Sequence, residues 1–291
     1  MIVRVPASSA NLGPGFDSFG LAWKIYNEIE FLFTEEDLSI SGCDERYCGK
    51  DNLAYVAYTR TMERCGRKTP GLKIRFLKTE IPVSRGLGSS AALITAGVTA
   101  ANAMYELGLS REELFDFATA VEGHPDNIAP ALYGGLTVSL MEGSHAVTRS
   151  FPLSDKLRFT LLIPPFELST ALSRGVMPKE IGMREAVFNL SRAALLPRAF
   201  ADGDAELLRL ALDDRLHQPY RFPLIEGADA AKKLANDCGA IALCISGAGS
   251  TLLCVANDAA FAGRMKRAMS EVCPSWFVLE ARPDNMGTAS L

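Results

Sequence analysis

Histidine and paired cysteine are scarce in this chain, and each scarcity removes a class of function. The seven cysteines (43, 48, 65, 238, 244, 254 and 273) form no C-x-x-C pair and their number is odd. That argues against a disulfide framework and for reduced thiols in a cytoplasmic setting. Three histidines, His124, His145 and His217, are scattered rather than set at ligand spacing, so structural zinc is not expected. There is no Lys/Arg-rich run, the net charge is −4 and the pI is near 5.6, so neither nucleic acid nor an anionic membrane is an expected partner. The longest apolar run, Ala240 to Ala256, is broken by Ser246-Gly-Ala-Gly-Ser-Thr251 and does not read as a membrane span. Met1-Ile-Val-Arg-Val-Pro lacks the basic region, apolar stretch and cleavage site of a secretory leader. Also missing are the G-x-x-x-x-G-K-[ST] phosphate loop, the H-R-D and D-F-G pieces of protein kinases, and any repeat of roughly 20 to 50 residues.

What is present is a globular composition, 48% apolar and 22% charged. At 291 residues the chain exceeds the usual single-domain size, so two domains are expected, 1–150 and 151–291. Strand patterns fall at Ile2 to Pro6, Ile25 to Phe33, Leu72 to Val83, Leu136 to Met141, Phe151 to Pro164, Ala240 to Ile245 and Ser275 to Ala281, with a loop over Ala7 to Phe16. Helical spacing falls at Asn52 to Cys65, capped by Asp51 or Asn52, at Ala91 to Leu107, and at Arg111 to Glu122, where Ser110 and Glu113 make a capping box. Further helices are expected at Arg184 to Leu196, Ala205 to Leu216, Gly227 to Cys238 and Asp258 to Ser270. Strands and helices alternate without a barrel rhythm, giving an α+β fold class.

The most informative stretch is Pro82-Val-Ser-Arg-Gly-Leu-Gly-Ser-Ser-Ala-Ala92. Pro82 closes a strand, and Ser89 or Ser90 falls near the N-cap of the helix that follows. Gly86 and Gly88 permit positive φ and close approach of an anion to bare backbone. The free amides of the first helical turn then face that anion, and the two serine hydroxyls can bond phosphate or ligate Mg²⁺. Two other readings fit the same residues. Gly86-x-Gly88-x-x-Ala91, with Glu106 or Glu112 downstream, satisfies a loose dinucleotide fingerprint, and a plain glycine turn would use Ser90 only as a cap.

Three more segments concentrate reactive groups. The loop Pro6 to Asp17 holds Asn11 and Asp17, an amide and a carboxylate able to converge on an amino or hydroxyl group, or simply to make a turn. Glu122-Gly-His-Pro-Asp-Asn127 ends a helix with a candidate Mg²⁺ ligand, Glu122, and three groups, His124, Asp126 and Asn127, that could orient a nucleophile or make turn bonds. Ile245-Ser-Gly-Ala-Gly-Ser-Thr251 is a second glycine loop, either sealing the first or turning between two core strands. Arg174 and Arg221 are lone arginines near prolines, a pattern more usual on solvated surface.

Together these segments resemble homoserine kinases, of the GHMP small-molecule kinase superfamily. Pro82, Val83, Ser84, Arg85, Gly86, Leu87, Gly88, Ser89, Ser90, Ala91 and Ala92 match its P-x-x-x-G-L-G-S-S-A-A motif without exception. Val3 to Ala22, Glu122 to Gly135, Ser169 to Pro178 and Asp214 to Arg221 resemble other signatures of the homoserine kinases, in family order. The third motif departs, with Ser250 where the family has proline, so a less rigid loop is expected there.

The resemblance implies a two-domain GHMP kinase fold: an N-terminal part like ribosomal-protein S5 domain 2, and a ferredoxin-like C-terminal part that completes the site. It implies phosphoryl transfer from Mg·ATP to the side-chain hydroxyl of L-homoserine, toward threonine. The cradle would hold the triphosphate, Asn52 would lie near the base, and Ser90 and Glu122 would ligate Mg²⁺. Asn11, Asp17 and His124 would bind the amino and hydroxyl end of the substrate, Arg174 and Arg221 its carboxylate, and Thr170 would line the phosphate side. Asn127 stands at the aspartate base of mevalonate-type relatives, with Asp126 beside it. No macromolecular partner is implied beyond an allowed homodimer.

Overall fold

Strand β1 (Ile2–Ala10) lies antiparallel to β2 (Phe19–Phe33) along its whole length, with a register slip between Pro6 and Ala7. Pro6 has no N–H to give the ladder, and the irregularity falls beside it. The strand continues through Ala7 to Ala10, residues expected in a loop. They are small and fully buried, so they suit a strand covered on both faces. The computed structural model describes all residues, 1–291.

β3 (Leu38–Ser41) is followed by a 3-10 turn at Glu45–Tyr47 and α1 (Leu53–Arg64), which Asn52 caps by accepting the Ala54 N–H at 3.0 Å. β4 (Leu72–Thr79) leads to α2 (Ser89–Met104), α3 (Arg111–Glu122) and α4 (Ile128–Tyr133), then to the hairpin β5 (Leu136–Glu142) and β6 (His145–Phe151). The Ser110–Glu113 capping box opens α3 as its sequence predicts. The middle of α2, Ile94 to Val98, is buried on every side between α1, α3, α4 and β1, and a side chain at Gly97 would run into the Ala54 carbonyl.

The single strand expected over Phe151 to Pro164 is two strands in different sheets. β6 stops at Phe151, where Pro152 cannot donate to a ladder, and β7 (Arg158–Ile163) begins after the turn. The chain then runs through α5 (Thr170–Gly175), α6 (Met183–Asp202), α7 (Ala205–Ala211), α8 (Gln218–Arg221) and α9 (Ala228–Asp237). α6 continues through Pro197 to Gly203, whose φ is +67°. α7 ends earlier than its pattern suggests, ahead of the Asp214 carboxylate, which takes the N–H groups of Leu216, His217 and Gln218 for the next turn. Last come β8 (Ala242–Ile245), β9 (Leu252–Ala256), α10 (Phe261–Val272), β10 (Phe277–Ala281) and β11 (Ala289–Ser290).

The first sheet runs β11-β1-β2-β4-β3, with β5 on the same edge of β2 as β4 and β6 outside β5. The second runs β10-β7-β9-β8, antiparallel throughout. β3 and β4 are the one parallel pair, so the open parallel sheet that a dinucleotide fingerprint needs is absent. One apolar cluster crosses both sheets: the Trp23 ring lies 5.4 Å from Phe159, itself 6.4 Å from Phe200. A fully buried phenylalanine contributes about 1.5 to 3 kcal/mol. No helix is long and apolar enough to cross a membrane.

Candidate active site

Four chain segments converge where β1 ends: the N-terminus of α2, the C-terminus of α3, the start of α5 and the turn between β8 and β9. They enclose a small polar cavity of about 110 Å³, lined by Gly88, Ser90, Glu122, His124, Thr170 and Arg174 among others. Ser84, Ser89 and Ser90 also face a larger neighbouring cavity of about 580 Å³, whose walls include Pro82, Val83, Arg85, Asn52, Tyr47 and Arg46.

Between them runs the glycine cradle. Gly86 and Gly88 have φ of +73° and +70°, and Gly88 itself is the N-cap of α2, one residue before Ser89. No side chain caps the helix, so its first amides stay free for an anion. The glycines are required for a further reason. A Cβ on Gly88 would collide with Ser8 Oγ, and one on Gly86 with the Ser246 carbonyl. Leu87, Ala91 and Ala92 are buried and line neither cavity; they anchor the cradle rather than touch a ligand.

The second half of the chain fastens it. Leu168 N–H donates to the Ser84 carbonyl (2.9 Å), Thr251 N–H to that of Arg85 (3.1 Å), and Ser246 Oγ to that of Gly86 (2.5 Å). The glycine loop is therefore both a hairpin turn and a seal. Ser250, in the place of the expected proline, is buried and donates to the Phe166 carbonyl at 2.9 Å, so its hydroxyl ties down the loop that was expected to be loose.

Ser90 Oγ donates to Glu122 Oε2 at 2.6 Å. Burial pushes the Glu122 carboxyl above the usual carboxylate range, against the Ser90 hydrogen bond and the pull of His124. His124 Nδ1 lies 2.7 Å from Asp126 Oδ1. Burial alone would lower the imidazole, but the hydrogen bond and charge of Asp126 outweigh it, and its pKa is raised. Asp17, His124 and Asp126 bring ligand atoms within 4.8 Å of one another. Asn127 also lines the small cavity, but its Oδ1 accepts the Ser8 hydroxyl at 2.9 Å, beneath Gly88.

Arg174 grips Asp17 with both terminal nitrogens, at 2.6 and 3.2 Å, and that hydrogen bond raises the guanidinium pKa. The two residues expected at opposite ends of a substrate are thus in direct contact with each other. Asn11 lines the cavity, but its amide donates to the Gly247 carbonyl (2.8 Å) and accepts from Asp17 N–H (2.9 Å), so it fixes two loops. Asn52 likewise uses both ends of its amide, capping α1 and donating to the Tyr47 carbonyl at 2.7 Å. Arg221 is almost wholly buried, far from the solvated surface position its lone sequence context suggests. Burial lowers its pKa, with Arg174 adding to the effect. Thr170 lines the small cavity as the first residue of α5.

Sequence reasoning overlooked Ser8, Phe16 and His217, although all three lie inside segments it singled out. The Phe16 ring sits under both guanidinium groups, 5.5 Å from Arg174 and 5.1 Å from Arg221. Its aromatic type between Gly15 and Asp17 was the available signal.

Two family profiles match: GHMP kinases N terminal domain over residues 52–135, and GHMP kinases C terminal over residues 196–275. A homoserine kinase of Clostridium botulinum (strain Eklund 17B / Type B) is 40% identical over 287 residues, covering 98% of this chain and 96% of that protein. One of Clostridium beijerinckii is 40% identical with the same coverage. The crystal structure of homoserine kinase from Cytophaga hutchinsonii superposes with a TM-score of 0.88 at 28% identity, covering 99% of this chain and 96% of that one. With the glycine cradle, the Ser90–Glu122 pair and the arginine-lined cleft in place, these matches show that the chain belongs to the homoserine kinase family of GHMP kinases.

Proposed function

We propose that this enzyme transfers the γ-phosphoryl group of ATP to the side-chain hydroxyl of L-homoserine, giving O-phospho-L-homoserine in threonine biosynthesis. The observation that carries the reading is the meeting, in one cleft, of an uncapped helix N-terminus with a zwitterion-shaped charge pattern. Asp17 and Asp126 suit an ammonium group, Arg221 and Arg174, which pairs with Asp17 at 2.6 Å, suit a carboxylate, and His124, its pKa raised, suits the hydroxyl end. The larger cavity is the place for the nucleoside of ATP, and the cradle amides for its phosphates.

Ser90 Oγ and the Glu122 carboxylate are hard oxygen donors 2.6 Å apart, and a buried carboxylate gains from a cation, so the pair fits Mg²⁺. Bound there, Mg²⁺ would neutralise charge on the transferred phosphate. No free carboxylate base stands at Asn127, and Asp126 is bonded to His124. The residues therefore act by positioning and electrostatics, which a loose phosphoryl-transfer transition state accommodates. We assign the parts as residues 1–150, with the cradle, and 151–291, which completes the cleft and sends its last strand, β11, back to the first sheet. This assignment is supported by the change of sheet between β6 and β7. An ADP-release assay across homoserine, shikimate, mevalonate and galactose tests the reading: turnover should appear with homoserine, and turnover with another acceptor alone would overturn it.

A further inference from the structure

One buried histidine lies against the cleft with no part in the chemistry above. His217 has no exposed surface and sits just ahead of α8, four residues before Arg221, so the two side chains share one face of the turn. Its Nε2 is 2.7 Å from the Gly13 carbonyl oxygen, and its Nδ1 is 3.3 Å from Arg221 Nη1. A carbonyl only accepts, so Nε2 carries a proton; a guanidinium only donates, so Nδ1 offers a lone pair. Both neighbours select one species, the neutral Nε2–H imidazole. An imidazolium would turn a second N–H against the guanidinium, beside a Phe16 ring already facing two arginines.

The charged groups around it are Arg221, Asp17, Arg174 beyond Phe16, and Asp214, whose Oδ2 lies 3.7 Å from Nε2. The Asp214 carboxylate is occupied by three main-chain N–H groups and by Asn189 Nδ2 at 2.6 Å, so it holds the turn rather than the imidazole. Burial keeps the His217 pKa below the ordinary histidine range despite the opposing pull of Asp214.

Arg221 gives Nη1 to His217 and, at 3.3 Å, to the Gly247 carbonyl, and gives Nε to the Ser173 carbonyl at 3.3 Å. Nη2 has no protein acceptor, and the residue lines the small cavity. We propose that His217 is a positioning residue of the substrate site: anchored on the Gly13 carbonyl, its neutral imidazole accepts Arg221 Nη1 and so directs Nη2 at the substrate carboxylate. This rests on the amino-acid substrate reading above.

Two conservative variants separate the two ring nitrogens. His217→Asn keeps an acceptor near Nδ1, and His217→Gln keeps a donor near Nε2. His217→Gln should raise KM for homoserine about tenfold, the worth of one charge-assisted hydrogen bond, with kcat and KM for ATP within about threefold of wild type. His217→Asn should bring KM for homoserine back to within about threefold. Homoserine methyl ester supplies the second readout: the preference of the wild type for the acid should shrink in His217→Gln and persist in His217→Asn. Equal losses of kcat, of both KM values and of melting temperature in the two variants would mean a structural role only and overturn the inference, as would an acid preference unchanged in His217→Gln.

A wild type that turns over homoserine but does not prefer it to the ester would overturn the carboxylate assignment. A wild type inactive on homoserine would overturn the functional reading itself. Should the variants not fold, ¹⁵N-histidine spectra of the wild type decide, with the three histidines assigned through His124→Gln and His145→Gln. An Nε2–H tautomer that does not titrate between about pH 6 and 9 is expected, and an imidazolium or Nδ1–H form at neutral pH overturns the inference.

Discussion

Glu122 shows how far function and stability part company at a single side chain. Its pKa is raised chiefly by burial, so the folded state binds its proton more tightly than the unfolded chain. The stability this carboxyl contributes is therefore fully present below the unfolded carboxylate value of about 4.3 and is lost as pH rises through the folded value. Glu122→Gln should flatten that slope and melt at an equal or higher temperature at neutral pH, while turnover falls about a hundred-fold through loss of the charged ligand. Paired melts at acid and neutral pH with an ADP-release assay check this; a destabilised variant that keeps its turnover contradicts it. Arg174 makes a complementary case. Its pair with Asp17 is about a third exposed on each side, so the pair adds at most about 1 kcal/mol to stability. Arg174→Ala should barely move the melting temperature or KM for ATP, yet raise KM for homoserine about ten- to a hundred-fold. An unchanged KM for homoserine would remove Arg174 from the carboxylate site.

Among the elements, the junction of β4 and α2 was the most legible in sequence, because glycine, proline and serine each have a specific backbone use there. What the sequence left open was the direction in which the glycines are crowded. Their missing Cβ atoms point into the protein, at Ser8 and Ser246, and not at the anion site. Gly88→Val should therefore act first on folding, by about 1 to 3 kcal/mol of strain at positive φ plus the Ser8 collision. Chemical denaturation measures it, and a variant of wild-type stability that has merely lost ATP binding would restore the anion-approach explanation. The β8–β9 turn offers a milder test. Ser250→Ala removes one buried hydrogen bond to the Phe166 carbonyl and should cost about 1 kcal/mol, a shift of about 2 to 4 °C in a chain this long. A melting temperature unchanged within error would show that the hydroxyl does not fasten the loop.

Over the whole molecule, the last residues return to the first sheet. β11 pairs with β1, Leu291 N–H reaches the Ile2 carbonyl, and buried Asp284 accepts the Tyr26 hydroxyl at 2.5 Å. Burial first, then that hydrogen bond, pushes the Tyr26 phenol up to about 12. The stability it supplies is complete below the unfolded tyrosine value of about 10 and is lost as pH rises toward the folded value. Tyr26→Phe should lower stability by about 1 kcal/mol at neutral pH and shrink the alkaline loss between pH 10 and about 12. Denaturation followed across that range tests it, and identical alkaline profiles for the two proteins would show that the tail is not held through this bond.

The sequence by itself determined what depends on local chemistry: the α+β class, the capping box at Ser110, the cradle and its glycines, and the motif set that identified the family. Its periodicity could not separate β6 from β7 or continue β1 past Pro6, because a strand buried on both faces shows no alternation and the choice of sheet is made by distant partners. Residue roles divided in the same way. Ser90 and Glu122, 32 positions apart, meet as their motifs imply. That Asn11 and Asn52 use their amides to hold loops, that Asp17 and Arg174 pair across 157 positions, and that His217 reaches back 204 positions to Gly13 were decided only by tertiary structure. An amide or imidazole has the same composition whether it faces a ligand or a carbonyl, and only packing determines which partner lies within hydrogen-bond reach.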